Sequence, residues 1–287
     1  MLEHDFPALY RSADRLSSES QRQFLRALKV HLLLLVFAAG LSIVSSPHWA
    51  IAVCQLLALL GALSCSVYLF SRRPDHNWYA GRAVAESIKT ITWRFVCRAE
   101  PFQGSDAFAL KDFHNRLKAI VDQNKDVAQS LTEHLDDPQV TQTMTRMRAA
   151  SLDKRKESYE KGRIKNQLSW YAKKAVFNKK TSNVFFWILI VINVVAVVCA
   201  ALRIKFPDAQ FWPTDVFVAM AASILSWMQA KRFSELAASY ALAAHEIGLI
   251  REQALMPITD EEFSKFVGDA ENAFSREHTQ WVARQDV

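Results

Sequence analysis

The residues that could do chemistry are few. Glu3-His4-Asp5 sets an imidazole between two carboxylates, a donor set that suits a divalent cation or, more simply, a frayed polar terminus. His245-Glu246 lacks the second histidine of a zinc-protease helix. There is no phosphate loop, dinucleotide fingerprint or nucleophile elbow. Cys54, Cys65, Cys97 and Cys199 show no CxxC or Cys/His metal spacing and read as small packing groups in a reducing compartment. These observations argue against an enzyme and assign no catalytic residue, metal ligand or cofactor.

Charge is more informative. Trp78, Arg82 and Glu86 step by four, and so do Trp227, Lys231 and Glu235. On a helix such steps share one stripe, where base and acid can pair and Trp can anchor at a headgroup boundary. An ordinary solvated stripe reads the same way.

The elements that carry these residues are helices of two kinds. Of 287 residues, 51% are hydrophobic and the net charge is +6, but the two classes are segregated. Apolar runs occupy Val30–Ser45, Ala50–Phe70, Val184–Leu202 and Val216–Ala230. A spanning helix needs about 20 apolar residues, with ~17 tolerated. The second and third runs qualify outright, and the first and fourth need snorkelling flanks. The sequence thus predicts an all-α integral membrane protein of four spans, arranged as two hairpins with long cytosolic helical extensions. Pro47 stops the first span. The charged stretch before it does not read as a cleaved signal peptide, so the first span is expected to act as a signal-anchor.

Arg22, Arg26 and Lys29 precede span one, and Arg72 and Arg73 follow span two. Lys173, Lys174, Lys179 and Lys180 precede span three, and Lys231 and Arg232 follow span four. If every span crosses, all four clusters share one side, which the positive-inside rule makes the cytosol, together with both termini. The basic balance therefore points to lipid rather than to nucleic acid.

Several cytosolic helices are expected. One resumes at Trp78, runs to about Arg98 and is broken by Glu100-Pro101. Asp106–Leu135 reads as a helix with Phe108, Leu110, Phe113, Leu117, Ile120 and Val121 on its apolar face. Pro138 opens a short helix, and Ser151 or Asp153 caps the next. From Leu152 to Leu202 nothing breaks the chain, so that helix runs straight into span three. After span four, helix continues to about Leu255. A last helix starts at Thr259 with Glu262 placed for a capping box, and docks through Phe263, Phe266, Val267 and Phe274. The division is a first unit over 1–103, a connector over 104–150 and a second unit over 151–287, with leads Tyr10–Lys29 and Tyr159–Lys180 as an internal repeat.

Three stretches carry a family likeness: FPALYRSADRLSSESQRQFLR, WYAGRAVAESIKTITWRFVCRAEPF and RIKNQLSWYAKKAVFNKK. They resemble the SLATT superfamily (SMODS- and SLOG-associating two-transmembrane effectors) in its tandem form, over residues 6–255. The matching positions are Trp78, Arg82, Glu86, Lys89, Trp93 and Arg94, then Arg163, Gln167, Trp170, Tyr171 and Lys174. The resemblance implies a bacterial inner-membrane effector of antiphage conflict that assembles into a pore when a nucleotide-linked cytosolic sensor signals. It assigns no catalytic role to these residues.

A pore needs small or polar lining groups. Cys54, Ala58, Ala62 and Ser66, with Gly61, offer them on span two, and Ala219, Ala222, Ser223 and Ser226 on span four. The same spacing serves packing between helices of one chain. His31 lies near the cytosolic boundary, where it would snorkel; Gln55 lies toward the outer end; Asn193 lies mid-span and needs a partner. Three functions remain open: a self-associating pore, a non-conducting scaffold or relay, and a small ion channel unrelated to defence.

Overall fold

The structure, a computed structural model, describes residues 1–44, 48–209, 211–254 and 256–283. It is helical throughout, with no strand among the described residues. A 3-10 turn at Glu3–Asp5 leads into α1 (Ala8–Ser42), α2 (Trp49–Arg72) and α3 (Pro74–Val96). Then come α4 (Asp106–Gln123), α5 (Lys125–Ala128), α6 (Gln142–Arg148) and α7 (Leu152–Tyr159). A π-turn at Glu160–Lys165 joins α7 to α8 (Asn166–Lys205). The chain continues through α9 (Thr214–Lys231), α10 (Phe233–Gln253) and α11 (Asp260–Ala283).

Among the described residues, three helical stretches are long and apolar enough to cross a membrane: Ala8–Ser42, Trp49–Val96 and Leu152–Lys205. α9 has 18 residues and holds Asp215 in its first turn and Lys231 in its last, so its apolar middle is short. The spanning windows of the three long stretches are 0–11% buried, and large side chains such as Trp187 and Val197 stand open at 65% and 68%. Apolar surface on this scale marks a membrane-associated protein.

The chain forms two compact units. One comprises residues 1–21, 75–172 and 241 onward, and the other 22–74 and 173–240. The first has a dense core that includes Ile88, Trp93, Phe102, Phe113, Met144 and Phe263, all nearly inaccessible. Each such side chain contributes about 1.5–3 kcal/mol. Gly81 lets α3 press on α1: a Cβ there would meet the Ala13 carbonyl oxygen and Ser17 nitrogen at 3.2 Å. In the second unit Ala38, Ala58, Ala62, Ile192, Ala196 and Ala221 are buried, mostly alanines that admit close helix approach.

Several expectations need correction. The helix expected from Trp78 begins earlier, at Pro74: Arg73 ends α2 in a left-handed conformation (φ 42°), and Pro74 opens α3 without an N–H to satisfy. α9 likewise ends at a left-handed Arg232 (φ 49°), whose N–H closes on the Met228 carbonyl. The helix after the fourth apolar run is therefore not continuous, and Glu235 leaves the stripe of Trp227 and Lys231. Asp106–Leu135 is not one helix: α4 stops at Gln123, and Phe108 and Leu110 are exposed while Ala109, Phe113 and Leu117 face inward. The short helix expected at Pro138 begins at Gln142, where Thr141 Oγ1 accepts from the Met144 N–H.

The N-terminus is docked rather than frayed, since Thr143 Oγ1 donates to Asp5 Oδ1 and Thr141 Oγ1 to the Asp5 carbonyl, both at 2.7 Å. The capping box at α11 forms: Glu262 accepts from the Ile258 and Thr259 N–H groups, and its own N–H donates to Thr259 Oγ1. The expectations at Ser45, Pro47 and Leu255 lie outside the described residues.

Candidate functional site

The charged stripe of α3 meets the π-turn in the first unit. Successive positions Arg82, Glu86 and Lys89 lie on one face of α3. Glu86 Oε1 sits 3.5 Å from Arg82 Nη2 and 3.9 Å from Lys89 Nζ, while its Oε2 is 4.0 Å from Arg163 Nη1. Arg163 stands on the π-turn, which carries one residue more per turn than an α-helix and so swings this side chain inward. The guanidinium grips Glu271 of α11 twice, Nε to Oε1 at 2.9 Å and Nη2 to Oε2 at 2.8 Å. Both partners are buried, at 2% and 0% side-chain exposure.

The remaining lone pairs of Glu271 are used. Tyr159 Oη donates to Oε1 and Thr90 Oγ1 to Oε2, each at 3.0 Å. Gln167 faces two donors, so its amide is oriented with oxygen toward Lys89 Nζ at 3.3 Å and Arg163 Nη1 at 2.9 Å. The Phe274 ring lies 4.9 Å from the Arg163 guanidinium.

Burial works against the Arg163 charge, yet Glu271 overcomes it and holds that pKa above the ordinary arginine value. Burial lowers the Lys89 pKa, with Glu86 opposing. It raises the Asp14 carboxyl, with Arg82 opposing. Burial and the Glu271 charge push the Tyr159 phenol well up. No nucleophile is aligned with a base here. The arrangement is an ionic lock centred on Glu271, whose two oxygens each accept two hydrogen bonds, and the charges fix one geometry.

Aromatic residues close the lock. Trp93 meets Tyr159 edge to face at 5.7 Å and Phe6 at 6.3 Å. Gly162 lies under it, where a Cβ would come 2.9 Å from Trp93 Cη2. The Arg82 guanidinium covers the Trp170 ring at 5.6 Å, and Trp170 meets Tyr171 at 4.9 Å. Trp78 stacks on Tyr79 at 4.5 Å, and its carbonyl accepts from Ser17 Oγ. Arg94 donates to the Gly268 carbonyl and to Asn272 Oδ1, tying α3 to α11.

In the second unit, α1 and α2 are pinned by polar groups. His31 Nδ1 donates to the Ala62 carbonyl at 3.0 Å, and Gln55 Nε2 to the Ala38 carbonyl at 3.3 Å. His31 therefore turns onto α2 instead of snorkelling. A Cβ on Gly61 would touch Leu34 at 3.0 Å. Ala58 and Ala62 are thus within the hairpin, whereas Cys54 and Ser66 are exposed. On α9, Ala222 and Ser226 are exposed and Ala219 and Ser223 half-buried. Asn193 is exposed, its Nδ2 donating to the Leu189 carbonyl of its own helix at 2.8 Å. Lys174 lies 6.0 Å from the Phe177 ring and Lys231 5.7 Å from the Phe233 ring, and Glu235 pairs with Arg232.

A family model described as SMODS and SLOG-associating 2TM effector domain 3 matches residues 7–156, and one described as domain 1 matches residues 159–281. The chain belongs to the SLATT family. Two SLATT domains stand in tandem, and such domains are two-transmembrane effectors associated with conflict and defence systems. No curated protein and no solved structure matches the chain.

Set on the SLATT matches, the lock joins the two domains. Arg82, Glu86, Lys89, Thr90 and Trp93 come from the first, and Tyr159, Gly162, Arg163, Gln167 and Glu271 from the second. The sequence reading found the α3 stripe and Arg163 but not that they meet, and it missed Glu271. A signal was present: Glu271 lies four residues after Val267 and three before Phe274, on the docking face of α11. A carboxylate on an apolar stripe calls for a buried cation.

Proposed function

We propose that this tandem SLATT protein is a membrane effector that self-associates and opens a pore in the bacterial inner membrane as part of a conflict response. In this reading α9 is a fourth span, its short apolar middle helped by Lys231 and Trp227 at one end. The basic clusters, the connector over 104–150 and both termini lie in the cytosol. The two halves, 1–103 and 151–287, each insert one hairpin, and a separate cytosolic sensor supplies the trigger. The lock and the docked α11 hold the unit closed at rest, and the protein has no enzymatic activity of its own.

Asn193 carries the proposal. An amide at the middle of an apolar helix, turned outward, faces hydrocarbon in a lone copy and lacks its water partners. A second copy or pore water supplies them. Cys54, Ser66, Ala222 and Ser226 are further small or polar groups on exposed faces.

The test is dye and ion release from liposomes of bacterial lipid, with the oligomer sized in lipid-retaining extraction. Release by the wild type that Asn193→Leu and Ser226→Leu abolish, with insertion unchanged, is the expected result. Ala58 and Ala62 are unsuited to this purpose, because bulk there splits the α1–α2 hairpin. A stable oligomer that never conducts would instead make the protein a scaffold or relay, and a monomer would end the pore reading. Conduction without any cellular arrest on triggering would make it a channel unrelated to defence.

A further inference from the structure

π-turns are rare and persist only where tertiary contacts favour them. Here the turn at Glu160–Lys165 sits in an otherwise unbroken helix from Leu152 to Lys205. Its contacts are specific. Gly162 admits the Trp93 ring, and Arg163 reaches Glu271 through two hydrogen bonds while Glu86 stays at 4.0 Å. The close carboxylate thus comes from α11, the last of the described helices.

α11 is held by keyed polar contacts as well as by Phe263 and Val267. Ser264 Oγ accepts from the Glu100 N–H and Gln103 Nε2, Asn272 Oδ1 accepts from Arg94, and Asp260 pairs with Arg155. The buried charge pair of Arg163 and Glu271 adds a contact that specifies a single docked position more than it adds stability, which suits a contact that is made and released.

We propose that α11 is a latch on helix register. With Glu271 docked, residues 160–165 hold the π form. When α11 leaves, Arg163 loses its hydrogen-bonded counterion, keeping only Glu86 at 4.0 Å, and the turn closes to α. Every residue beyond it then changes phase by one position, about 100° around the helix axis. From Asn166 to Lys205 the sequence holds no Gly or Pro at which the helix could kink, so the change is carried along it, and Gln167 and Trp170 leave Lys89 and Arg82 with it. The rotation reaches Val184–Leu202 and turns Asn193 to a new face. The membrane consequence rests on the spanning role proposed above, but the register change does not depend on conduction.

The test uses full-length protein in lipid nanodiscs. Single cysteines are scanned across 184–202 in a background without the four native ones and labelled with a water-soluble maleimide, while hydrogen exchange follows 260–275. In Glu271→Gln, and separately in Ser264→Ala with Asn272→Ala, the α11 amides should exchange at least about tenfold faster. The labelling pattern should move by one residue in both. Deleting the exposed Lys161 removes the extra residue of the turn, so in that variant Glu271→Gln should free α11 without moving the pattern. Release of α11 with an unmoved pattern in the otherwise intact chain would overturn the latch, and so would α11 amides that stay protected in both variants. Loss of all periodic protection across 184–202 would instead strike the membrane reading.

Discussion

Arg163 and Glu271, 108 positions apart in the chain, face each other through hydrogen bonds of 2.9 and 2.8 Å with both side chains shut off from solvent. Removing one partner strands a buried charge, which costs about 3–5 kcal/mol. Arg163→Met and Glu271→Leu should each destabilise by that order. The double variant should lose far less than the sum, because no charge is left unpaired. Denaturant unfolding in detergent, read as a double-mutant cycle, measures this. Additive losses would mean that the two groups do not act as a pair.

Gly162 gives a sharper test of the π-turn. In Gly162→Ala the new Cβ lies 2.9 Å from Trp93 Cη2 and 3.4 Å from Cζ2, and both are rigid ring atoms. The ring cannot withdraw, since Tyr159 and Phe6 hold it. The loss should be about 1–3 kcal/mol, the usual cost of overpacking. Trp93→Phe removes the two clashing atoms. In that background Gly162→Ala should turn neutral or stabilising, because alanine favours helix over glycine by about 0.8–1 kcal/mol. Thermal unfolding of the four proteins decides it.

How much of this was legible depended on where each signal resides. Uncharged runs of spanning length declare lipid as their solvent, so the helical membrane class could be read directly, as could the capping box of Thr259 and Glu262. The stripe of Trp78, Arg82 and Glu86 was legible as a helix face, but sequence spacing cannot say whether such a face meets water or another helix. The partner that decides it, Glu271, is 185 residues beyond Glu86 and reveals itself only as a charge on an apolar stripe. The left-handed stop at Arg232 was illegible, because arginine has no preference for that conformation and its neighbours impose it, whereas the break after span two was read and only the start of α3 at Pro74 was missed. The end of α4 at Gln123 failed for a related reason: Leu131 is buried, which looks helical in the pattern, although its backbone has already left the helix.

Arg148 closes the far end of α3. Its Nη1 donates to the Phe95 carbonyl at 2.7 Å, its Nη2 to Gly104 at 3.2 Å and its Nε to Asp106 at 2.9 Å. A lysine ammonium cannot span three acceptors set around a planar fork. Arg148→Lys should therefore cost about 1.5–3 kcal/mol, the worth of a hydrogen bond to a charged group. Arg146→Lys, on the exposed face of α6, should leave the melting temperature unmoved. Equal effects of the two would mean that the carbonyl contacts of Arg148 add nothing.

Asp14 supplies the pH dependence. Burial raises its carboxyl pKa, Arg82 and Lys89 pull the other way, and Glu3 and Glu86 add to the rise. A raised carboxyl binds its proton more readily folded than unfolded. Above the folded pKa the ionised group therefore disfavours folding, and this penalty fades as pH falls through that pKa toward the unfolded value near 3.9. Asp14→Asn removes the penalty. It should raise the melting temperature at neutral pH, and the gain should shrink steadily as the solution is brought toward about pH 4. The group is only partly buried, so solvent screening keeps the effect modest. A gain that grew in acid would reverse the sign, and would mean that the Arg82 and Lys89 charges outweigh burial at this carboxyl.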